Sequence, residues 1–297
     1  MFRIPVLIAV LAGAEAGQAQ PAFRSSVDLV TVPVTVTARE QAWRVGELGP
    51  ADFRIFEDGV PQELSLVTHE PRALSICILL DSSPSMASTR QRFAIRTVDT
   101  LLGSLAPGDE ATMVFFASKP QIAFPWTRGA DVRPVSWIEW RLSLGTALID
   151  AMKEGLRLIE QASNPLPVIV VVSDGGENAS GTSLASLAAT RRQSETMIYG
   201  IHTDLPPSKF APPVNRAFTD FLPELVSNSG GTVYEVKSAE AGEAAARAFL
   251  EELRSQYTLG YVPKRAADGK YRTVKVESTN RNLVLRHRAG YLAAVRR

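Results

Sequence analysis

The stretch LLDSSPSMAS, residues 79–88, takes a run of aliphatic side chains into Asp81, Ser82, Ser83, Pro84 and Ser85. Asp81, Ser83 and Ser85 recur at every second position, so a turn out of a strand can aim their oxygens at one point. Two further stretches offer the same chemistry: Gly145-Thr146, ahead of a helical pattern, and Ser173-Asp174-Gly175-Gly176, after a second apolar run. All the donors are hard oxygens, with no thiolate or imidazole, which suits Mg²⁺, Mn²⁺ or Ca²⁺ and not zinc or copper. Two aspartates balance a divalent charge, and hydroxyls add ligands without adding charge. A site so built has room for another carboxylate from outside. Two plainer readings stand beside this one. Ser83 and Ser85 could cap a helix while Asp174 only ends a strand, or the donors could gather and stay idle.

These residues need elements to bring them together. ALSICILLD (73–81) and LPVIVVVSD (166–174) are nearly continuous apolar runs that end in an acid, the pattern of strands covered on both faces. EATMVFFAS and MIYGIHT read as strands, and TVYEV as another. Helical spacing runs through 86–102, 147–162, 183–194, 217–228 and 239–256; in 147–162, Leu148, Met152, Leu156 and Ile159 share a face. A proline-rich loop covers 205–216. Strand and helix alternate across 73–256, which implies a mostly parallel sheet with helices on both faces. In such sheets ligands gather at the carboxyl ends of the strands, where all three oxygen-bearing stretches should lie.

The flanks are different. In VDLVTVPVTVT (27–37) Val30, Val32, Val34 and Val36 share one face, and Pro33 marks an edge or a bulge. Asp58-Gly59 within DFRIFEDGVPQELSLV is a hairpin signal. YTLGYV, YRTVKVES and LVLRHR return to strand after 256. Neither flank is large enough for a core of its own. The expected architecture is therefore α/β: a Rossmann-like doubly wound domain over 73–256, inserted in a small β-sandwich-like module that residues 20–72 and 257–297 build together.

At this point the residues carry a resemblance. D-x-S-x-S, a later Thr and a later S-D-G resemble the metal-ion-dependent adhesion site of von Willebrand factor type A domains, with Asp81, Ser83, Ser85, Thr146 and Asp174 at its five positions. DFRIFEDGVPQEL before that region, and YTLGYVP, DGKYRTVKVES and LRHRAGYLA after it, are similar to the bacterial secreted VWFA-related family. The resemblance implies that Ser83 and Ser85 bind the metal directly, Thr146 directly or through water, and Asp81 and Asp174 largely through water. A partner's Asp or Glu would complete the sphere.

Composition and the N-terminus bound the setting and the partners. Net charge is +1 over 297 residues, so there is no global field for nucleic acid or anionic lipid. MFRIPVLIAVLAGAEAGQAQ reads as a signal peptide cut near Ala19, and no later segment reads as a membrane span. The destination is periplasmic or extracellular. Cys77, the single cysteine, allows no internal disulfide and sits where a small core hydrophobe belongs.

Other chemistries lack their parts. A haloacid-dehalogenase-type phosphatase needs an acid where Ser83 stands. G-x-G-x-x-G, a P-loop and G-x-S-x-G are absent from the sequence. His69, His202 and His287 are scattered, with His287 expected at the surface; Glu177 and Asn178, beside Asp174, read either as support for the site or, in preference, as a solvated loop. The expected function is a non-enzymatic, cation-dependent binding or adhesion module. A metal-dependent hydrolase on the same oxygens, or a structural envelope protein with an idle site, are the alternatives.

Overall fold

The structure is a computed structural model that describes residues 29–39, 46–139, 143–203 and 221–294. The expected signal peptide and the proline-rich loop at 205–216 lie outside these residues. Among the described residues, no helix is long and apolar enough to cross a membrane.

The N-terminal flank supplies β1 (Val30–Ala38), β2 (Phe53–Glu57), β3 (Val60–Gln62) and β4 (Leu64–Thr68). Then follow β5 (Leu74–Asp81), α1 (Thr89–Gly103), β6 (Glu110–Phe116), β7 (Pro120–Arg128) and α2 (Leu148–Ile159). Next come β8 (Leu166–Ser173), α3 (Leu184–Gln193), β9 (Met197–Thr203), α4 (Phe221–Val226), β10 (Val233–Val236) and α5 (Ala239–Arg254). The tail supplies β11 (Tyr257–Tyr261), β12 (Tyr271–Ser278), β13 (Leu283–His287) and β14 (Gly290–Leu292).

The central sheet has the order β10-β9-β8-β5-β6-β7, parallel except for β7. Its apolar runs are continuous because each face is covered. Ile76, Ile78 and Leu80 of β5 pack with Phe93 and Val98 of α1 and Phe249 of α5. Cys77 and Leu79, pointing the other way, pack with Leu148, Met152 and Leu156 of α2 and Leu187 of α3. Cys77 is fully buried, and burial raises its thiol pKa, so it is an inert core residue. β7 has no counterpart in the sequence reading. It is an edge strand carrying Pro120 and Pro125, and an edge is where prolines are tolerated.

From β5 the chain first moves to β6 on one side and later to β8 on the other. The strand order thus reverses between β5 and β8, and the crevice at their carboxyl ends is the topological switch point.

The flanks form two four-stranded sheets, β13-β1-β11-β4 and β14-β12-β2-β3, each mixing strands from both ends of the chain. Val32, Val34, Phe53, Ile55, Tyr257, Leu259, Tyr261, Val274 and Val276 make one core between them. The Asp58-Gly59 turn joins β2 to β3 with positive φ at both residues, 47° and 78°, as a two-residue hairpin of this kind requires. Pro33 is not on an edge strand: β1 lies between β11 and β13. The ladder to β13 starts only at Val34, so Pro33 is paired on one side alone.

Candidate functional site

Asp81 is the last residue of β5 and is fully buried. The two residues after it leave the strand, and a 3-10 turn at Pro84–Met86 carries the chain toward α1. Neither Ser83 nor Ser85 caps a helix. Ser83 precedes the 3-10 turn without a side-chain capping bond, and α1 begins only after Ser88, whose φ is 64° and whose side chain also caps nothing. Instead the Ser83 and Ser85 hydroxyls converge, with Oγ–Oγ 3.0 Å. The capping explanation of these serines therefore fails.

Asp81 is held by both oxygens. The Ser83 backbone N–H donates to Oδ1 at 2.8 Å and the Ser173 hydroxyl to Oδ2 at 2.6 Å. Burial, with the Asp174 charge adding to it, pushes the Asp81 carboxyl up to about 7. Two acids thus share a desolvated crevice, which needs positive charge.

Asp174 follows β8 directly and is nearly buried. Its Oδ1 accepts the Gly176 N–H at 3.3 Å, and its Oδ2 accepts Arg90 Nη1 at 2.5 Å. A side chain at Gly176 would fill the space between the outer donors. Its Cβ would lie 3.4 Å from Asp174 Oδ1 and 3.8 Å from Thr146 Oγ1.

Thr146 is placed by a clasp. Asn178 Oδ1 accepts the Thr146 N–H at 2.8 Å, and the Thr146 carbonyl accepts the N–H groups of Asn178 and Ala179. Gly145 before it has φ 91°, the left-handed region that favours glycine. Glu177 anchors the same loop to α2. Its Oε2 takes the Ile149 N–H at 2.8 Å and the Ser180 hydroxyl at 2.7 Å, and its Oε1 takes the Ala179 and Ser180 N–H groups at 3.0 Å. Glu177 and Asn178 are thus not a solvated loop. They are the scaffold of the Thr146 side of the crevice, satisfying the open N–H groups at the start of α2.

Asp81, Ser83, Ser85, Thr146 and Asp174 all come to this one end of the sheet. The sequence reading missed Arg90, the second residue of α1, whose side chain is 9% exposed. No spacing signal marks it; a cation in a first helical turn reads as surface. His202 lies under the site, with Nε2 3.1 Å from the Asp174 carbonyl and Nδ1 2.6 Å from Glu235 Oε2. A cleft of about 530 Å³ opens beside Ser82, with exposed Lys119, Gln121 and Ile122 on its wall. Among the described residues, no group of three or more His, Cys, Asp or Glu side chains could hold a metal. Any site here is built from two carboxylates and hydroxyls.

Comparisons bear on the fold. The sequence profile of the von Willebrand factor type A domain matches residues 76–177. No curated protein matches the chain. Among solved structures, the von Willebrand factor type A protein from Catenulispora acidiphila is 11% identical, covering 91% of this chain and 75% of that one, with TM-score 0.51. Proximal thread matrix protein 1 from the mussel byssus, with a zinc-occupied MIDAS motif, is 13% identical, covering 67% of this chain and 50% of that one, with TM-score 0.53. An aerotolerance-related membrane protein from Bacteroides fragilis is 19% identical over 61% of this chain and 100% of that one, with TM-score 0.46. The profile match over residues 76–177, the sheet order and the switch-point crevice agree on a von Willebrand factor type A fold for the central α/β region.

Proposed function

We propose that this chain is a non-enzymatic binding module, exported from the cytoplasm, that engages an acidic side chain of a protein partner through a divalent cation. Asp81, Ser83, Ser85, Thr146 and Asp174 would hold the cation. The observation that carries this reading is the pair of buried carboxylates at the ends of neighbouring strands, β5 and β8, with serine hydroxyls converging beside them. The donor set fits a hard ion such as Mg²⁺ or Mn²⁺, and the open space that a Cβ at Gly176 would fill lies among the donors. The cation supplies positive charge for an incoming carboxylate. Lys119 on the neighbouring cleft adds charge of the same sign.

The same residues offer little to a hydrolase. Hydrolysis needs a group free to move a proton. His202, the one imidazole close by among the described residues, has both ring nitrogens engaged.

The test is calorimetric titration of the chain with Mg²⁺ and Mn²⁺, beside Asp81→Asn and Asp174→Ala. Asp81 is inside a strand end and fully buried, so the isosteric amide is the gentler variant. One-site binding by the wild type that both substitutions abolish is the expected result. A variant that binds like the wild type would remove these residues from the site. Retention of the chain on an immobilised Asp-containing peptide, reversed by EDTA, then checks the partner chemistry.

A further inference from the structure

The crevice already contains a cation, and it belongs to the protein. Arg90 sits in the first turn of α1, where the unsatisfied N–H groups make positive charge unfavourable. Its side chain is 9% exposed and that of Asp174 is 5% exposed. Arginine is rarely so buried unless it is paired. Here Nη1 lies 2.5 Å from Asp174 Oδ2 and 3.3 Å from the backbone carbonyl of Ser85. One guanidinium therefore ties the loop of Ser83 and Ser85 to the loop after β8. Those are the two loops a divalent ion would join.

We propose that Arg90 is an internal counter-cation that competes with the divalent ion for Asp174. This rests on the reading of Asp174 as part of a metal site. Asp174 Oδ1 is engaged by the Gly176 N–H, and Oδ2 is the oxygen that Arg90 uses. An ion drawing on this carboxylate has to take it from the guanidinium or share it against the repulsion of two cations in a desolvated place. Metal-free protein then keeps one of its two buried acids neutralised and its loops tied. Metal-loaded protein has Arg90 moved off Asp174. The crevice is a two-state exchange between a built-in cation and a dissolved one, and Arg90 sets the concentration of metal at which it switches.

The test compares wild type, Arg90→Gln and Arg90→Lys for Mn²⁺ affinity by calorimetry and for thermal midpoint in EDTA. Arg90→Gln should tighten Mn²⁺ binding by about tenfold or more, the worth of one charge-assisted hydrogen bond. It should also lower the midpoint in EDTA and widen the rise on adding Mn²⁺. Arg90→Lys keeps the charge without the planar fork and should fall between the two, and it carries the test alone if the glutamine variant does not fold. Metal binding seen only in the glutamine variant would support both the site and the competition. Wild-type binding that is lost in Asp81→Asn but unchanged or weakened in both Arg90 variants would overturn the competition and leave the metal site standing; Arg90 would then be a residue that positions Asp174 for the ion. Absence of Mn²⁺ binding in every chain would overturn the site and the competition together.

Discussion

The firmest quantitative expectation concerns a charge buried in the β-sandwich. Glu57, the last residue of β2, is 1% exposed. It accepts hydrogen bonds from Tyr291 Oη at 2.7 Å, Tyr261 Oη at 2.9 Å, Arg272 Nη1 at 3.1 Å and Arg265 Nη2 at 3.4 Å. Arg272 is itself 2% exposed, though Asp268 and two backbone carbonyls also face it. Removing one partner of a buried pair costs about 3–5 kcal/mol, because the other charge stays desolvated. Glu57→Ala should cost that much, with the stranded phenols bringing it to the upper end. Glu57→Gln keeps an acceptor and loses the charge, so about 1.5–3 kcal/mol is expected. In an Arg272→Met background the Glu57→Ala cost should shrink by at least about 1 kcal/mol, since interacting pairs are not additive. Urea unfolding gives the totals. Hydrogen exchange locates them: protection should fall in β2 and β12 and persist in β5 and β8. A Glu57→Ala loss below about 1 kcal/mol would refute the reasoning, since it would make the buried pair worth no more than an exposed one.

Two further substitutions test other parts of the fold. Gly242 lets α5 approach α1 closely: a Cβ there would lie 2.1 Å from Phe93 Cε2 and 2.3 Å from Thr97 Oγ1. Gly242→Ala should therefore destabilise by about 1–3 kcal/mol despite the better helix propensity of alanine; an unchanged urea midpoint would mean the two helices can part freely. His287 is half-buried between strands, not at the surface. Its Nε2 accepts the Val276 N–H at 3.1 Å and its Nδ1 donates to the Arg288 carbonyl at 2.8 Å, so the ring must be neutral. Burial depresses its pKa below the usual imidazole value. The folded protein therefore resists protonation more than the unfolded chain does. The contribution is fully present above the unfolded value of about 6.5 and is lost as pH falls through the folded one. Urea midpoints taken from pH 7.5 down to pH 5 should fall more steeply in the wild type than in His287→Gln, and parallel slopes would assign the effect to another group.

What the sequence made legible were the elements whose pattern follows directly from burial. ALSICILLD reads as a covered strand because both its faces meet helices, and Asp58-Gly59 reads as a hairpin because the turn demands positive φ. That Asp81, Ser83, Ser85, Thr146 and Asp174 gather at one end of the sheet was legible because each ends or follows a strand or opens a helix in one of three short loops. What stayed hidden depended on contacts distant in sequence. β7 was missed because Pro120 and Pro125 break its pattern at a sheet edge. Glu177 looked solvated because the N–H groups it satisfies belong to α2. Nothing in the local pattern singled out Arg90 or Glu57, because the partners that bury them lie far along the chain, at Asp174 and Arg272. His287 was misjudged because the group that engages its ring, the Val276 N–H, comes from a strand of the other sheet, a packing no local pattern reveals.

The interleaving of the two ends has a consequence for synthesis. β1 pairs with β11, so Val30 waits for Tyr261 before its ladder can close. A chain that emerges from its N-terminus has β1 to β4 in hand while their partners are still unmade. The inserted domain shortens that wait in effective length. Once it folds, its entry and exit stand side by side: the His69 ring stacks on Tyr257 at 4.4 Å and its Nε2 meets the Ser255 carbonyl at 3.0 Å. Loop-closure entropy for the sandwich is then that of a short connection and not of the whole insert. The inserted α/β domain, once folded, thus holds the two flanks close enough to pair, and a lesion in the central sheet should surface first as unpaired, aggregation-prone strands in the flanks.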